Sequence, residues 1–159
     1  MAEPFRVAVV MPSAINDLAF SQSMYDALVA IQEEWGEENF EFAYSEGMFV
    51  VDDAAAAIRD YASQGYDLVI AHGSQYGSSL VEIAPDFPDT SFAWGTTVDT
   101  FADQGITNVF AYEARSEQGG YVNGVMAAML TESNVIGVIG PIETGDAKLY
   151  VDGFVAGVA

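Results

Sequence analysis

The chain contains no cysteine and very little positive charge. Without cysteine, disulfides and thiolate metal sites are excluded, and with a single histidine a zinc site is not expected. Four Lys and Arg residues face 24 acidic residues, which gives a formal net charge of −20. Because binding to nucleic acid or anionic lipid requires basic side chains that replace counterions, we expect neither as a partner.

The acidic excess has two interpretations. The first is solubility, and the second is adaptation to salt in a halophilic or marine source, where ions screen the self-repulsion. The near absence of lysine favours the second interpretation. No run approaches the roughly 18 apolar residues of a membrane span, and the first four residues lack the basic start and apolar stretch of a signal peptide.

The stretch from Arg6 to Leu28 predicts the unit around which the fold is organised. Residues 7–11 are almost wholly apolar, which is typical of a strand buried on both faces. Residues 12–17 interrupt this run, and a helical period begins at Leu18. Asn16 or Asp17 is expected to cap that helix, because a side-chain acceptor can satisfy a free N–H group there. The pattern indicates a strand, a loop and a helix.

Strand and helix patterns then alternate along the chain. This alternation predicts an α/β fold with a doubly wound parallel sheet in the order 2-1-3-4-5 and right-handed crossovers. Asp52 or Asp53 is expected to cap the second helix, and Ser116 a later Gly- and Ala-rich helix. The predicted strands lie near residues 7–11, 40–44, 68–71, 91–94, 108–112 and 135–140. The predicted helices lie near residues 21–35, 54–63, 80–83, 117–130 and 147–158.

The loops that follow the strands are rich in aromatic, hydroxyl and glycine residues. In open parallel sheets, ligands bind at the carboxyl ends of the strands, where rings can stack on a ligand and a few polar groups can orient it. Convergence on one edge, rather than any single residue, carries this prediction. The candidate ligand-binding residues in these loops are Asp17, Phe20, Ser74, Tyr76, Ser78, Trp94 and Gly95.

Each candidate also has a purely structural interpretation. Asp17 could serve only as a helix cap, and Phe20, Tyr76 and Trp94 could belong to the core. His72, the only histidine, could be a hydrogen-bonded residue at the end of a strand, and it is not among the candidates.

The motifs of several enzyme classes are absent. Residues 73–77 resemble a nucleophile elbow, but Ser74 stands one place early, and His72 precedes the serine where a late histidine is needed. There is no Walker A lysine motif and no glycine-rich dinucleotide fingerprint. A phospho-receiver domain would need an aspartate and a lysine where His72 and Glu113 stand. We therefore predict a binding protein without catalytic residues, cofactor or metal.

Several segments together resemble the basic membrane protein (Bmp) family, the substrate-binding lipoproteins of nucleoside-type ABC transporters. Their order along nearly the whole chain makes the resemblance specific. The segments are Asp17-Leu18-Ala19-Phe20-Ser21-Gln22, Gln64-Gly65-Tyr66-Asp67-Leu68-Val69-Ile70, Ile83-Ala84-Pro85-Asp86-Phe87-Pro88-Asp89, Gln118-Gly119-Gly120-Tyr121-Val122-Asn123-Gly124-Val125-Met126-Ala127, Val135 to Gly140, and Gly153-Phe154-Val155-Ala156-Gly157.

The resemblance implies a periplasmic-binding-protein type I lobe and a purine-nucleoside-like ligand whose base stacks on Phe20. Ser21 joins the candidate ligand-binding residues, because it stands where the family has an asparagine. Ser78 stands where the family has a base-contacting aspartate. Short neutral side chains at both positions are expected to read the edge of the ligand less strictly.

The resemblance also implies a domain division and a setting. Residues 1–132 are expected to form the first ligand-binding lobe, and residues 133–159 the start of a truncated second lobe whose apolar segment self-associates or pairs as a sixth strand. The implied partners are a small-molecule ligand and an ABC permease, with a periplasmic or extracellular location and membrane contact only through a lipid anchor outside this chain. The alternatives are a ligand-sensing receptor module and, less favoured, a nucleoside-processing enzyme or ester hydrolase.

Overall fold

The computed structural model describes residues 3–159, which divide into two compact units after Tyr112. The sheet unit comprises the residues up to Tyr112, and the helix-pair unit comprises Glu113–Ala159. The predicted lobe boundary at residues 132 and 133 stays a prediction about the whole protein. In the structure, the division falls earlier because the helix that begins at Ser116 packs on the last helix.

The sheet unit contains five parallel strands in the order β2-β1-β3-β4-β5. This confirms the predicted α/β fold and strand order, because the apolar runs that predicted the strands are the runs that pair. In the edge strand β2, only Phe40 is buried, and Glu41 and Tyr44 are exposed. The strands are β1 (Phe5–Val10), β2 (Phe40–Ser45), β3 (Leu68–Ala71), β4 (Ser91–Gly95) and β5 (Val109–Tyr112).

Three helices connect these strands: α1 (Phe20–Trp35), α2 (Val51–Ser63) and α3 (Gly77–Ile83). Helix α1 ends at Gly36, whose φ of +82° lies in a region that glycine enters without steric cost. The prediction that Asp52 or Asp53 caps α2 is wrong, since both lie in its first turn and the helix has no side-chain cap bond. Their charges still favour that end of the helix, where free N–H groups carry partial positive charge.

The side chains of β1 alternate between two hydrophobic clusters. Ala8 and Val10 belong to the larger cluster, which contains Ile58, Leu80 and Phe92. Val7 and Val9 of β1, together with Met11, belong to a second cluster built with residues of α1, β2 and β3. A strand that is apolar on both faces is therefore buried on both faces, which is why the continuous run correctly predicted a central strand.

The helix-pair unit consists of α4 (Ser116–Leu130) and α5 (Gly145–Val158), which run parallel. A Cβ atom on Gly120 would overlap the carbonyl oxygen of Tyr150, and one on Gly153 would overlap the carbonyl of Glu117. Gly124 and Gly157 repeat this pairing one turn further along. Backbone therefore packs directly on backbone, which only glycine allows. The prediction that Ser116 caps α4 is wrong, because the helix begins at Ser116 itself and lacks a side-chain cap.

The predicted sixth strand near residues 135–140 is wrong, since this described segment is irregular and pairs with no strand. Its apolar side chains are instead exposed, with Ile139 at 98% and Val135 at 78%. Glycines at 137 and 140 and the absence of a neighbouring sheet within the helix-pair unit account for the missing strand. That the segment self-associates stays a prediction. None of the helices in residues 3–159 has the length and apolar character needed to span a bilayer.

Candidate ligand-binding site

The loop after β1 is organised by the carboxylate of Asp17. Its Oδ1 accepts the backbone N–H groups of Ala19 (2.9 Å) and Gln22 (3.1 Å), and its Oδ2 accepts that of Ser21 (3.1 Å). The N–H groups of Ser21 and Gln22 belong to the first turn of α1, so Asp17 satisfies free N–H groups there as predicted, although the N-cap position itself is Ala19 and not Asn16 or Asp17. A carboxylate offers about four acceptor positions, and roughly one of them remains for a ligand.

Leu18, within this loop, has the strained backbone of a left-handed residue. Its φ is +56°, and its side chain is 89% exposed. A non-glycine residue in this region costs on the order of 1–2 kcal/mol relative to the right-handed form. The hydrogen bonds to Asp17 and the bond from the Leu18 N–H to Gln22 Oε1 (2.9 Å) hold it there. Polar contacts thus hold Leu18, while Ile15 packs the loop against the second hydrophobic cluster.

Three rings lie nearly parallel at the carboxyl edge of the sheet, and we call them the ring stack: Phe20, His72 and Tyr112. The rings of Phe20 and His72 have centroids 3.8 Å apart and planes 12° apart. The rings of His72 and Tyr112 are 6.1 Å apart, with planes 13° apart. Phe20 is partly exposed, and one face of its ring lies on His72.

Hydrogen bonds fix the tautomer of His72. Its Nε2 lies 3.1 Å from the carbonyl oxygen of Phe20, which can only accept, so Nε2 carries the proton and donates. Its Nδ1 lies 2.6 Å from the Tyr112 hydroxyl. In the neutral ring Nδ1 is an acceptor, so Tyr112 donates its O–H. The imidazole of His72 is therefore held by one hydrogen bond at each of its two ring nitrogens.

Burial and charge act in opposite directions on the two ionisable groups of this edge. Burial lowers the pKa of His72 below its usual value, and this outweighs the bond to the Phe20 carbonyl and the attraction of Asp17. For Asp17, burial would raise the pKa of the carboxyl, but the N–H groups of Gln22, Ala19 and Ser21 lower it below its usual value. At neutral pH, the site holds a neutral imidazole and a carboxylate.

Gly95 makes the ring stack possible. Strand β4 lies between β3 and β5, so the ring of Tyr112 must cross the end of β4 to reach His72. Gly95 pairs with Tyr112 in the strand register, and a Cβ atom at Gly95 would lie 2.5 Å from the Tyr112 hydroxyl oxygen. Any larger residue at this position would therefore displace the hydroxyl from His72.

Trp94 and Tyr76 lie in the core and support the loop after β3. The indole Nε1 of Trp94 donates to the carbonyl of Gly73 (3.1 Å), and its ring stacks on Phe101 at 4.9 Å. The hydroxyl of Tyr76 donates to the carbonyl of Met48 (2.7 Å), and burial raises the pKa of Tyr76. Gly77 is required beside Trp94, because a Cβ atom there would overlap the indole.

The three candidate serines occupy different environments. Ser21 is completely buried, and its Oγ accepts the N–H of Ser13 (3.1 Å). Ser74 is partly exposed in a short turn after β3, and Ser78 is exposed in α3. Phe20, Asp17 and Ser21 thus lie on one short segment, and Phe20 meets the ends of β3 and β5 through His72 and Tyr112.

The sequence-based candidates did not include His72 or Tyr112. The sequence contains one signal for them, because β4 ends in a glycine and β5 ends in a tyrosine. A glycine at the end of β4 leaves room for the tyrosine ring to cross β4 toward β3. Recognising it requires the register of Gly95 opposite Tyr112, which the sequence alone does not provide. Among residues 3–159, no group of three or more His, Asp or Glu side chains is arranged to hold a metal ion.

The sheet order 2-1-3-4-5 places the sheet unit in the class of doubly wound α/β folds, which bind ligands at the carboxyl edge of the sheet. Over 98% of its length, the chain superimposes on an ABC transporter solute-binding protein from Aeropyrum pernix K1, with a TM-score of 0.77 at 18% identity, and it covers 43% of that chain. The model of the Bmp family, described as PnrA-like ABC transporter substrate-binding proteins, matches residues 5–159. The chain belongs to the Bmp family, as the resemblance of its motifs indicated.

Two named relatives match nearly the whole chain. The transcriptional activator protein Med of Bacillus subtilis is 30% identical over 152 residues, which are 96% of this chain and 44% of that protein. A purine-binding protein of Brucella abortus is 27% identical over 155 residues, which are 98% of this chain and 43% of that protein. The chain thus spans less than half the length of the curated relatives it matches.

Proposed function

We propose that this chain is the first ligand-binding lobe of an ABC importer's solute-binding protein, and that it holds a planar, nucleoside-like ligand against Phe20. One observation carries the proposal: Phe20 stands partly exposed at the carboxyl edge of the sheet, with its ring plane fixed by His72. Membership of a substrate-binding family and the purine-binding relative support the same ligand class. A fixed aromatic ring can stack on a base, an interaction worth roughly 1–3 kcal/mol in other stacking sites.

The remaining candidates divide into contacting and supporting residues. Asp17 retains about one acceptor position for a ligand hydroxyl, and Ser74 and Ser78 present hydroxyls that can donate or accept. Trp94 and Tyr76 support the loop after β3 from the core. Ser21 and Gly95 support the site in different ways. Ser21 accepts the Ser13 N–H, and Gly95 leaves room for the ring of Tyr112.

The proposed setting follows from the family. A solute-binding protein of an importer works outside the cytoplasmic membrane, closes on its ligand by hinge motion and docks on a permease. The ligand would be released unchanged, so the protein needs no catalytic residue.

The test is titration calorimetry of the complete gene product with adenosine, inosine, guanosine and uridine, with ribose as the control that lacks a base. We expect saturable binding of at least one nucleoside and none of ribose, because stacking needs the base. Chromatography of the mixtures should return every nucleoside intact. Release of free base or another product would support the nucleoside-processing alternative, and binding of no nucleoside would refute the proposed ligand class.

A further inference from the structure

We propose that His72 and Tyr112 are positioning residues for the ligand-stacking ring of Phe20. The inference rests on the proposed function and adds two residues to it. Neither residue needs to touch the ligand. Their role is to hold the plane of Phe20 in one orientation, so that a flat ligand finds the stacking face already in place.

The first step of the argument is that Phe20 has little else to orient it. It begins α1 just after the strained residue Leu18, where hydrogen bonds to Asp17 hold the backbone. The hydrophobic clusters of the sheet unit do not include Phe20. Its described ring contact is the stack on His72, at 3.8 Å.

The second step is that His72 is itself locked. It is 5% exposed and cannot rotate without breaking two hydrogen bonds, one to the Phe20 carbonyl and one from the Tyr112 hydroxyl. The bond to Phe20 ties the backbone of that residue to the same imidazole on which its ring lies. The carbonyl group and the ring of Phe20 therefore both contact the same rigid imidazole.

The third step is that Tyr112 holds the second nitrogen of the imidazole. The Phe20 carbonyl requires the Nε2–H tautomer, and the bond from the Tyr112 O–H to Nδ1 stops the imidazole from turning about that first hydrogen bond. Gly95 is required for this bond, since a Cβ atom there would lie 2.5 Å from the hydroxyl oxygen. A preorganised ring binds more tightly than a mobile one, because less rotamer freedom is lost on binding.

The experiment compares Tyr112→Phe with Tyr61→Phe in the complete gene product. Both changes remove only a hydroxyl, and the Tyr61 hydroxyl bonds to Ser45 (3.0 Å), which has no part in the ring stack. We expect Tyr112→Phe to weaken adenosine binding roughly two- to tenfold, the binding cost of immobilising one side chain that is no longer preorganised. Tyr61→Phe should leave the affinity for adenosine unchanged, although both variants lower the melting temperature.

A spectroscopic arm separates positioning from general destabilisation. The ¹⁵N signals of His72, identified by their loss in His72→Gln or His72→Phe, should show the Nε2–H tautomer in the parent, and the Nδ1 signal should shift in Tyr112→Phe because that nitrogen loses its hydrogen-bond donor. In Tyr61→Phe they should match those of the parent. A parent with mixed tautomers, or a Tyr112→Phe protein with unchanged adenosine affinity, would overturn the inference.

Failure of the proposed function is distinguishable from failure of this inference. If the parent binds no nucleoside, the proposed ligand class fails, and the ring signals of Phe20 then decide the positioning role alone. They should broaden or shift in Tyr112→Phe and remain unchanged in Tyr61→Phe. Unchanged Phe20 signals in both variants would refute positioning, whatever the ligand.

Discussion

The sheet unit and the helix-pair unit are each stabilised internally, but by opposite kinds of packing. The sheet unit is closed by large side chains such as Phe92, Ile58 and Leu80, which are almost wholly buried. The helix-pair unit packs at positions without side chains, because Gly120 and Gly153 let the backbones of the two helices come into direct contact. The difference shows that apolar composition alone does not predict burial, since Met129 and Leu130 of α4 remain 79% and 76% exposed.

The two units also differ in net charge. Residues 1–112 carry 18 acidic side chains against Arg6 and Arg59, whereas residues 113–159 carry six against Arg115 and Lys148. Among the described residues, each unit contains one ion pair, Arg59 with Asp86 and Lys148 with Asp152. Both pairs are exposed, so they offset little of the repulsion in the sheet unit.

The largest expected effect tests side-chain closure in the sheet unit. Phe92→Ala removes a ring that is wholly buried in the main cluster, and we expect a loss of about 3–5 kcal/mol in the free energy of unfolding. The matched control is Phe110→Ala on the neighbouring strand, where the ring is 57% exposed. Denaturant unfolding should show a much smaller change for the control, and equal losses would contradict the assigned core.

The next effect tests backbone closure in the helix pair. Gly120→Ala places a Cβ atom against the Tyr150 carbonyl, so the helices must separate, and we expect a cost of about 1–3 kcal/mol. Gly119→Ala is the control, because the nearest atom to a Cβ there is Tyr150 Cε2 at 3.9 Å. That change should stabilise α4 by about 0.5–1 kcal/mol. Hydrogen exchange of α4 and α5 measures both, and equal behaviour of the two variants would refute the close approach.

A smaller effect concerns salt. If the acidic excess is an adaptation to salt, molar salt should stabilise the sheet unit more than the helix pair, because the sheet unit carries most of the unpaired charge. Relief of about 1 kcal/mol of repulsion would raise the melting temperature by ~4 °C. Residue-resolved hydrogen exchange at low and high salt separates the units. Stability that does not change with salt leaves only the solubility interpretation.

The smallest effect is the pH dependence contributed by His72. Burial lowers the pKa of His72 in the folded state, so below its usual value of 6.5 the unfolded chain binds a proton that the folded chain refuses. Its stabilising contribution is therefore complete above that value and declines as the pH falls toward the folded-state pKa. His72→Phe keeps a flat ring but cannot titrate, and its unfolding free energy should decline less over the same range.

The pH profile of His72→Phe must be compared with that of the parent protein, because a second group also makes stability depend on pH. Burial raises the pKa of Asp146, despite its hydrogen bond with Ser116. Asp146 lies in the helix-pair unit and titrates identically in the parent and in His72→Phe. Identical pH profiles for the two proteins would contradict the burial assigned to His72.

The sheet was predictable from sequence, because its strands are local apolar runs and its order follows from alternation with helices. The sixth strand was not, since residues 135–140 have the apolar pattern of a strand but no described partner to pair with. Pattern gives the propensity of a segment to be a strand, whereas pairing is a tertiary event. The close approach of α4 and α5 likewise depends on which glycines face each other.

The places of the candidate residues in the fold were partly predictable, and that they bind a ligand stays a prediction. Asp17 and Phe20 follow the first strand, and the rule that ligands bind at the carboxyl edge identified them. Trp94 and Tyr76 stand at the same edge in sequence, yet their side chains turn into the core, which no local pattern reveals. The pairing of His72 with Tyr112 joins residues 40 positions apart through strand register and could not be read from either segment.

The most direct test of the central claim is calorimetric titration of adenosine into the complete gene product, its Phe20→Ala variant and its Phe5→Ala variant. Phe5 lies at the opposite, amino end of β1 and is 45% exposed, so it controls for the loss of a partly exposed ring. We predict that Phe20→Ala loses roughly 1–3 kcal/mol of binding free energy, because base stacking is lost, while Phe5→Ala binds as the parent does. If Phe20→Ala binds adenosine as tightly as the parent, the ligand does not stack on Phe20 and the account is wrong.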